Sequence, residues 1–334
     1  MDSIPSISAQ IDEIKINKII NKNFSKLAPV YYKMLSNWFI RAYSVYGDID
    51  KYIILIYLVN KDFIFFRKNG LIVSFETFFK DKSLEIEKIN ISDISKDLQI
   101  PKESVRRKVE ELEKKGVIKK NKKRIYINMN AFSPERVNQG IKEVSTFLYE
   151  FNKLLKKENE INQTLDVEQI IRSIKENYSF CWYQFYKFIF IYTKRWRKEV
   201  KDLETMCIGI LVMLNASHNK SFKVKDLNLK TYQKKVMGSD RRGMNAMSLS
   251  DITGIPRPTV VRKLKYLIDN NYLSINEKKL LFINIQGAKL KRSSELQDAN
   301  IKTLSNFIYK VFNQIKIIDS GKDKDEEFVP SYLR

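Results

Sequence analysis

Four cations, Arg257, Arg262, Lys263 and Lys265, crowd the stretch TGIPRPTVVRKLKYL, Thr253 to Leu267, behind two prolines. A guanidinium can pair bidentately with a guanine edge, an ammonium acts as a point charge on phosphate, and a hydroxyl such as Thr259 can donate to either. This is the chemistry of recognising a polyanion, not of making bonds, and it needs the side chains on one rigid outward face. Pro256 and Pro258 supply the start of such an element. Their φ is already helical, and the first turn of a helix has no use for the missing N–H. Val260, Leu264 and Leu267 recur at i, i+4 and i+7, which predicts an apolar stripe toward a core with Arg262 and Lys265 opposite it. Upstream, SLSDI reads as a short helix ended by Thr253-Gly254. Downstream, NNYLSINEKKLLFIN predicts a hairpin whose polar tip carries Lys278 and Lys279. The order is helix, tight turn, helix, wing, with the helix-turn-helix at about 247–271 and the wing at about 272–285.

The same order occurs 155 residues earlier, in INISDISKDLQIPKESVRRKVEELEKKGVIKKNKKRIYIN from Ile89 to Asn128. Aligned without gaps, Ile94 matches Leu249, Ile100-Pro101 matches Ile255-Pro256, Ser104 matches Thr259, and Arg107-Lys108 matches Arg262-Lys263. Val105, Val109 and Leu112 repeat the apolar stripe. Here the helix-turn-helix falls at about 91–116 and the wing at about 117–128. The candidate contacts are Lys102, Ser104, Arg106, Arg107 and Lys108 on the second helix, and Lys119, Lys120, Lys122, Lys123 and Arg124 in the wing. KESVRRKVEEL carries three consecutive basic residues where the later copy has Val261, and its wing is far more basic than INEKK. The two heads are therefore expected to read different half-sites.

Self-similarity continues on both sides of the heads. DIDKYIILIYLVN from Asp48 is echoed by DLETMCIGILVML from Asp202, each a buried-looking helix opened by an acidic residue. PVYYKMLSNWFIRAY and CWYQFYKFIFIYTKRW are both aromatic-rich helical stretches, and STFLYEFNKLL from Ser145 returns as SNFIYKVFNQI from Ser305. The expected fold is mostly α with small β wings. Two tandem winged helix-turn-helix units, residues 1–158 and 159–318, are joined by long terminal helices into a pseudo-two-fold arrangement and followed by a polar tail, 319–334. Met1 to Gln10 is read as a loose arm, Lys156 to Asp166 as the joint, and the acidic cluster of the tail as a segment that would repel DNA.

That element order resembles the MarR family of bacterial transcriptional regulators, and TGIPRPTVVRKL is similar to the recognition helix of IclR-type regulators. MarR-like proteins are dimers whose terminal helices form the interface beneath two winged domains. The resemblance thus implies a single-chain pseudo-dimer, monomeric in solution, that regulates transcription, with repression by occlusion as the default. Its partner would be double-stranded DNA carrying a pseudo-palindrome with unequal arms, spaced about one helical turn, ~34–36 Å. A small apolar effector in a pocket near the interface also follows from the resemblance. Asp62 to Lys88 and Ser217 to Asn245 depart from the family pattern, lengthening the connection into the helix-turn-helix in both halves.

Composition agrees with a folded binder of polyanions. The 334 residues are 43% hydrophobic, enough for real cores, and carry a net charge of +22. A low-GC genome enriches Lys, Ile and Asn everywhere, but it does not explain five basic residues packed into one wing. His218 is the only histidine and sits in the polar ASHNKS, so metal sites and His-based triads have little material. None of the ten glycines falls in a phosphate-cradling pattern. Glu110-Glu111 alternates with lysines on a helix surface. An enzyme is not expected, nor a cofactor or metal. Cys181 and Cys207 sit in apolar helices and read as buried free thiols. The aromatic run Phe180 to Trp196 is expected to pack between the halves, with an effector pocket or a stacking platform for single strands as alternatives. The longest apolar run, from Tyr52, is too short to span a bilayer and the start lacks a signal-peptide pattern, so a cytoplasmic, nucleoid-associated protein with no membrane partner is expected. Two other functions fit the same features: a plasmid-type replication initiator with tandem winged helices, and a winged-helix interaction scaffold.

Overall fold

The computed structural model describes residues 11–121, 124–161, 164–219, 222, 226–237 and 243–322. Lys122, Lys123, the arm at 1–10 and residues 323–334 of the tail lie outside the described residues. The chain is mostly helical with small antiparallel sheets. The first half runs α1 (Glu13–Lys22), α2 (Phe24–Tyr46), α3 (Ile49–Lys68), α4 (Phe75–Phe78), β1 (Ser83–Glu87), α5 (Ile91–Leu98), α6 (Lys102–Lys114), β2 (Ile118–Lys120), β3 (Arg124–Asn128) and α7 (Pro134–Lys157). The second runs α8 (Val167–Glu176), α9 (Tyr178–Arg197), α10 (Leu203–Ser217), α11 (Leu229–Val236), α12 (Ala246–Thr253), α13 (Arg257–Asp269), β4 (Leu273–Ile275), β5 (Leu281–Ile283) and α14 (Gly287–Lys322).

Local signals start these helices at matching places. Asp12 and Asp166 cap α1 and α8 by accepting from the Ile14 and Gln169 N–H groups. Asn23 and Asn177 then bend the chain into α2 and α9. Each buried Asn donates its backbone N–H and its side-chain amide back to one carbonyl, of Ile19 and Ser173 respectively. Asp48 and Asp202 cap α3 and α10. The repeat therefore begins at the first described helix, well before the stretches in which it is readable by eye.

Packing between the halves is reciprocal. α2 lies on α10 while α9 lies on α3, and α1 packs on α14 while α8 packs on α7. An interface in which each contact occurs twice with the roles exchanged is what a two-fold relation produces. The lengthened connections at 62–88 and 217–245 obey the same rule. The Ser25 N–H donates to the Leu227 carbonyl at 3.1 Å and Ser25 Oγ accepts from the Leu227 N–H at 3.0 Å. Likewise the Ser179 N–H donates to the Val73 carbonyl at 3.0 Å and Ser179 Oγ accepts from the Val73 N–H at 2.8 Å. Each connection crosses to the opposite half and covers an aromatic at the start of its long helix: Phe78 meets Tyr178, and Tyr232 meets Phe24. The two lengthened connections thus form one repeated clasp. The aromatic run of α9 is core, with Tyr178, Trp182, Phe185, Phe188 and Tyr192 buried and Phe188 stacked on Phe307 of α14. Cys181 and Cys207 are buried free thiols, and burial pushes Cys207 up to about 12.

In the first half β1, β3 and β2 form a three-stranded antiparallel sheet, with Ile86 opposite Ile125 and Ile118 opposite Ile127. In the second, β4 pairs β5 with Leu273 opposite Ile283, and a single bridge from Met244 to Leu281 stands where β1 would. The gapless alignment slips here. Lys120 pairs with Ile125, but Ile275 pairs with Leu281, so the second tip is one residue longer.

The turns between the paired helices also match, except in one residue. Ser95 Oγ donates to the Ile100 carbonyl at 2.7 Å and Ser250 Oγ to the Ile255 carbonyl at 2.8 Å. The left-handed position is Gly254 (φ 69) in the second turn but Gln99 (φ 53) in the first. A side chain there costs about 1–2 kcal/mol, of which glycine's extra freedom in the unfolded chain takes back a part. Gln99→Gly should therefore stabilise the chain, and Gly254→Gln destabilise it, by about 0.5–1 kcal/mol each. Denaturant midpoints at unchanged slope measure both; equal and same-sign shifts would refute the assignment of strain.

Candidate nucleic-acid interface

The second helix of each pair turns the expected stripe inward: Val105, Val109 and Leu112 of α6, and Val260, Leu264 and Leu267 of α13, are buried. Pro101 and Pro256 occupy the N-cap positions, where neither can cap with a side chain, and Pro258 lies in the first turn of α13. The opening N–H groups of both helices are thus left without a side-chain cap, available to an anion. Lys102, Arg106 and Arg107 are exposed and Ser104 is half-buried; Arg257, Arg262 and Lys265 are exposed and Thr259 is half-buried.

Two candidates leave this set. Lys108 and Lys263 are only 8% and 9% exposed. Each falls three residues after the first apolar residue of its stripe, which puts it on the packing side. Lys108 Nζ pairs with Asp48, and Lys263 Nζ donates to Asp202 Oδ1 at 2.7 Å. Both aspartates are the N-caps of the helices beneath, so one lysine–aspartate pair seats α6 on α3 and the other seats α13 on α10. Their role is to position the heads, not to touch a ligand. Burial would raise the Asp202 carboxyl, but hydrogen bonds from Lys263 and Thr205 prevail and hold it below the usual carboxylate range. The two pairs adjoin at the centre. Arg197 from the second half donates to Asp50 at 2.5 and 3.2 Å, and Glu204 accepts from the Ile49 N–H at 3.0 Å. Burial raises the Glu204 carboxyl.

The outward faces differ in the opposite sense to the one the basic triplet suggests. α6 carries five basic and four acidic residues, whereas α13 carries four basic and one acidic. Arg106 is clamped along its own helix, donating to Glu103 at 2.8 and 2.9 Å and to Glu110 at 3.2 Å, and Arg107 lies 3.9 Å from Glu111. These are i+3 and i+4 pairs, the spacing that brings side chains together on a helix. Among the described residues, Arg257, Arg262 and Lys265 have no carboxylate partner within 4.0 Å. In the first wing Lys119, Lys120 and Arg124 are exposed, but Lys120 pairs with Glu113 at 2.8 Å and Arg124 with Glu85 at 3.2 Å. Lys122 and Lys123 belong to the undescribed tip. Lys278 and Lys279 are exposed on the second.

Residues of another kind share the second head's surface. Met247, Ile252, Val261 and Ile275 are exposed apolar side chains, and Val261, 50% exposed, lies between Arg257 and Lys265 on the open face of α13. An apolar side chain at such a place suits a thymine methyl. Charge alone did not single these out; the departure of Val261 from the basic pattern was the available signal. Among the described residues no His, Cys, Asp and Glu cluster is arranged to hold a metal, and no helix is long and apolar enough to cross a membrane.

Comparison of the chain with protein-family models, with characterised proteins and with solved structures finds no match.

Proposed function

We propose that the chain is a sequence-specific double-stranded DNA-binding transcriptional regulator, a single-chain pseudo-dimer with two non-identical winged helix-turn-helix heads. One observation carries the reading: the same helix, turn, helix and hairpin occur twice, each seated by a lysine on an aspartate N-cap, and each turns a row of cations outward. The major groove admits one helix, entered by its N-terminal residues, and the uncapped starts of α6 and α13 suit that approach. Exposed wing cations would follow phosphate. Because the faces differ, the site is a pseudo-palindrome with unequal arms. The MarR-like order of elements is a further support.

Selecting bound fragments from the source genome and mapping them tests the proposal. Sites upstream of operons support regulation; repeated sites at one origin would replace it with replication initiation, and no enrichment would end both. On a selected site, Arg262→Ala should cost about 1–3 kcal/mol and less on random duplex. Arg106→Ala, whose guanidinium is already held by Glu103 and Glu110, should cost less than half as much on the same site. Equal losses on cognate and random DNA would reduce Arg262 to a phosphate contact. Light scattering should find one chain of 39.5 kDa alone and one per duplex; a stable dimer binding as a unit would sink the pseudo-dimer.

A further inference from the structure

The two clasps share their hydrogen bonds but not their outer surface. The residue after Ser25 is Lys26 and the one before Leu227 is Asp226, and these two pair at 2.7 Å. Asp226 also pairs at 2.6 Å with Lys157, the last residue of α7. Around Ser179 and Val73 the corresponding places hold Phe180 and Ile72. Lys157 stands twelve residues past Ser145, and twelve past its repeat Ser305 stands Ile317 on α14. One clasp has three charges where the other has three apolar residues.

No described residue covers the apolar side. Leu71 and Ile72 are 51% and 49% exposed, and with the half-buried Phe180 and Tyr183 they line a groove of about 190 Å³. Adjoining apolar side chains left in water mark a binding surface more often than chance. Its rim is cationic. Arg67 lies over the Tyr183 ring at 5.0 Å and the following Lys68 is exposed; among the described residues neither has a carboxylate within 4.0 Å.

The chain itself leads to this groove. α14 runs antiparallel to α9, so that Arg195 meets Ala299, Phe188 meets Phe307, and Gln314 donates to Asn177 at 3.4 Å, two residues before Ser179. Where α7 stops at Lys157, α14 continues to Lys322, and the residues beyond it read DKDEEFVPSYLR. Residues 323–327 hold four acids and one lysine; residues 328–333 set Phe328, Val329, Tyr332 and Leu333 around Pro330. The helix carries the chain about 12 Å past Gln314. Six more residues span at most about 20 Å, enough to bring Phe328 back to Ser179 at the groove.

We propose that this groove is the docking site of the chain's own residues 328–333, with the acids of 323–327 laid against Arg67 and Lys68. An extended segment stiffened by proline suits an aromatic-lined groove, because little freedom is lost in ordering it. A second copy fits worse. Each chain carries +22, so two copies repel, whereas the segment brings the opposite charge to a cationic rim. The function proposed for the heads plays no part in this docking.

The full-length chain carrying Phe328→Ser, Tyr332→Ser and Leu333→Ser should have the groove open. By fluorescence anisotropy a labelled peptide DKDEEFVPSYLR should bind this opened chain at one per chain. It should bind the parent at least about tenfold more weakly, because the attached segment competes at an effective concentration on the order of mM. A peptide with the same three serines keeps every charge and should not bind. Adding Ile72→Asp to the opened chain installs the other clasp's residue at an exposed place, spares the core, and should abolish binding. Changing Asp325, Glu326 and Glu327 of the peptide to Ser should weaken it by about threefold or more; unchanged affinity overturns the contact with Arg67 and Lys68. A peptide that ignores the opened chain, binds the parent equally well, or binds undiminished after Ile72→Asp overturns the docking. An opened chain that dimerises in light scattering and takes no peptide assigns the groove to a second copy, and overturns it too.

Discussion

Raising salt from 50 to 200 mM should weaken binding of the chain to its duplex by about 10³–10⁵, the loss expected when six to ten phosphates are neutralised and their counterions released. The cations for such a footprint are exposed on both heads: Lys102, Arg107 and Lys119 on the first, and Arg257, Arg262, Lys265, Lys278 and Lys279 on the second. Arg107, 3.9 Å from Glu111, and the others already have acidic neighbours. Arg106, Lys120 and Arg124 must exchange a carboxylate for a phosphate, so each adds less. The distribution sharpens the test. Neutralising Arg257, Arg262 and Lys265 together should flatten the salt dependence by about three phosphates' worth, and neutralising Lys120 and Arg124 by less than two. Neutralising the whole first wing, Lys119 to Arg124, should still weaken all duplexes more than neutralising Lys278 and Lys279. Affinity that ignores salt would remove nucleic acid from the account.

How far the sequence exposes this arrangement depends on which forces leave a pattern in it. The apolar stripes of α6 and α13 are legible because a helix repeats its face every three to four residues, and both stripes are buried as the spacing predicts. The turns are legible because proline and glycine restrict the backbone locally. The clasp is not. Ser25 and Leu227 meet across two hundred residues, and nothing in a serine's neighbours announces a backbone partner so distant. Nor is the division of the cations legible from charge alone. Lys108 and Arg107 are adjacent and alike in sequence, yet a turn of about 100° sends one to Asp48 and leaves the other in solvent. The i+3 and i+4 glutamates around Arg106 were readable, and they reverse the ranking of the two helices.

Lys263→Ala should unfold the second head at far lower denaturant than the parent chain, with a loss of about 3 kcal/mol. That is the lower end for breaking a buried ion pair, because Asp202 keeps 32% of its side-chain surface. The ammonium spans the seam between α13 and α10, so its loss strands a carboxylate that also caps α10 through the Thr205 N–H and hydroxyl at 2.8 and 2.7 Å. The sign with pH separates this from simple loss of packing. In the parent, Asp202 has a depressed folded pKa, so its contribution is complete above the ordinary carboxylate range near 4 and disappears as pH falls through the folded value. Without Lys263 burial prevails, the carboxyl rises, and protonating it relieves the stranded charge. The deficit of Lys263→Ala should therefore shrink between pH 7 and pH 5, and the double variant Lys263→Met with Asp202→Asn should recover a large share of the stability at pH 7. A deficit that stays constant with pH would show that the lysine acts by its stem alone. Lys108→Ala should behave alike on the first head, but with a remainder, because Asp50 nearby keeps its partner in Arg197. Either single variant should lose DNA affinity chiefly for its own half-site, since a recognition helix cut loose from its seat must be ordered again on the groove, and ordering it draws on the binding free energy.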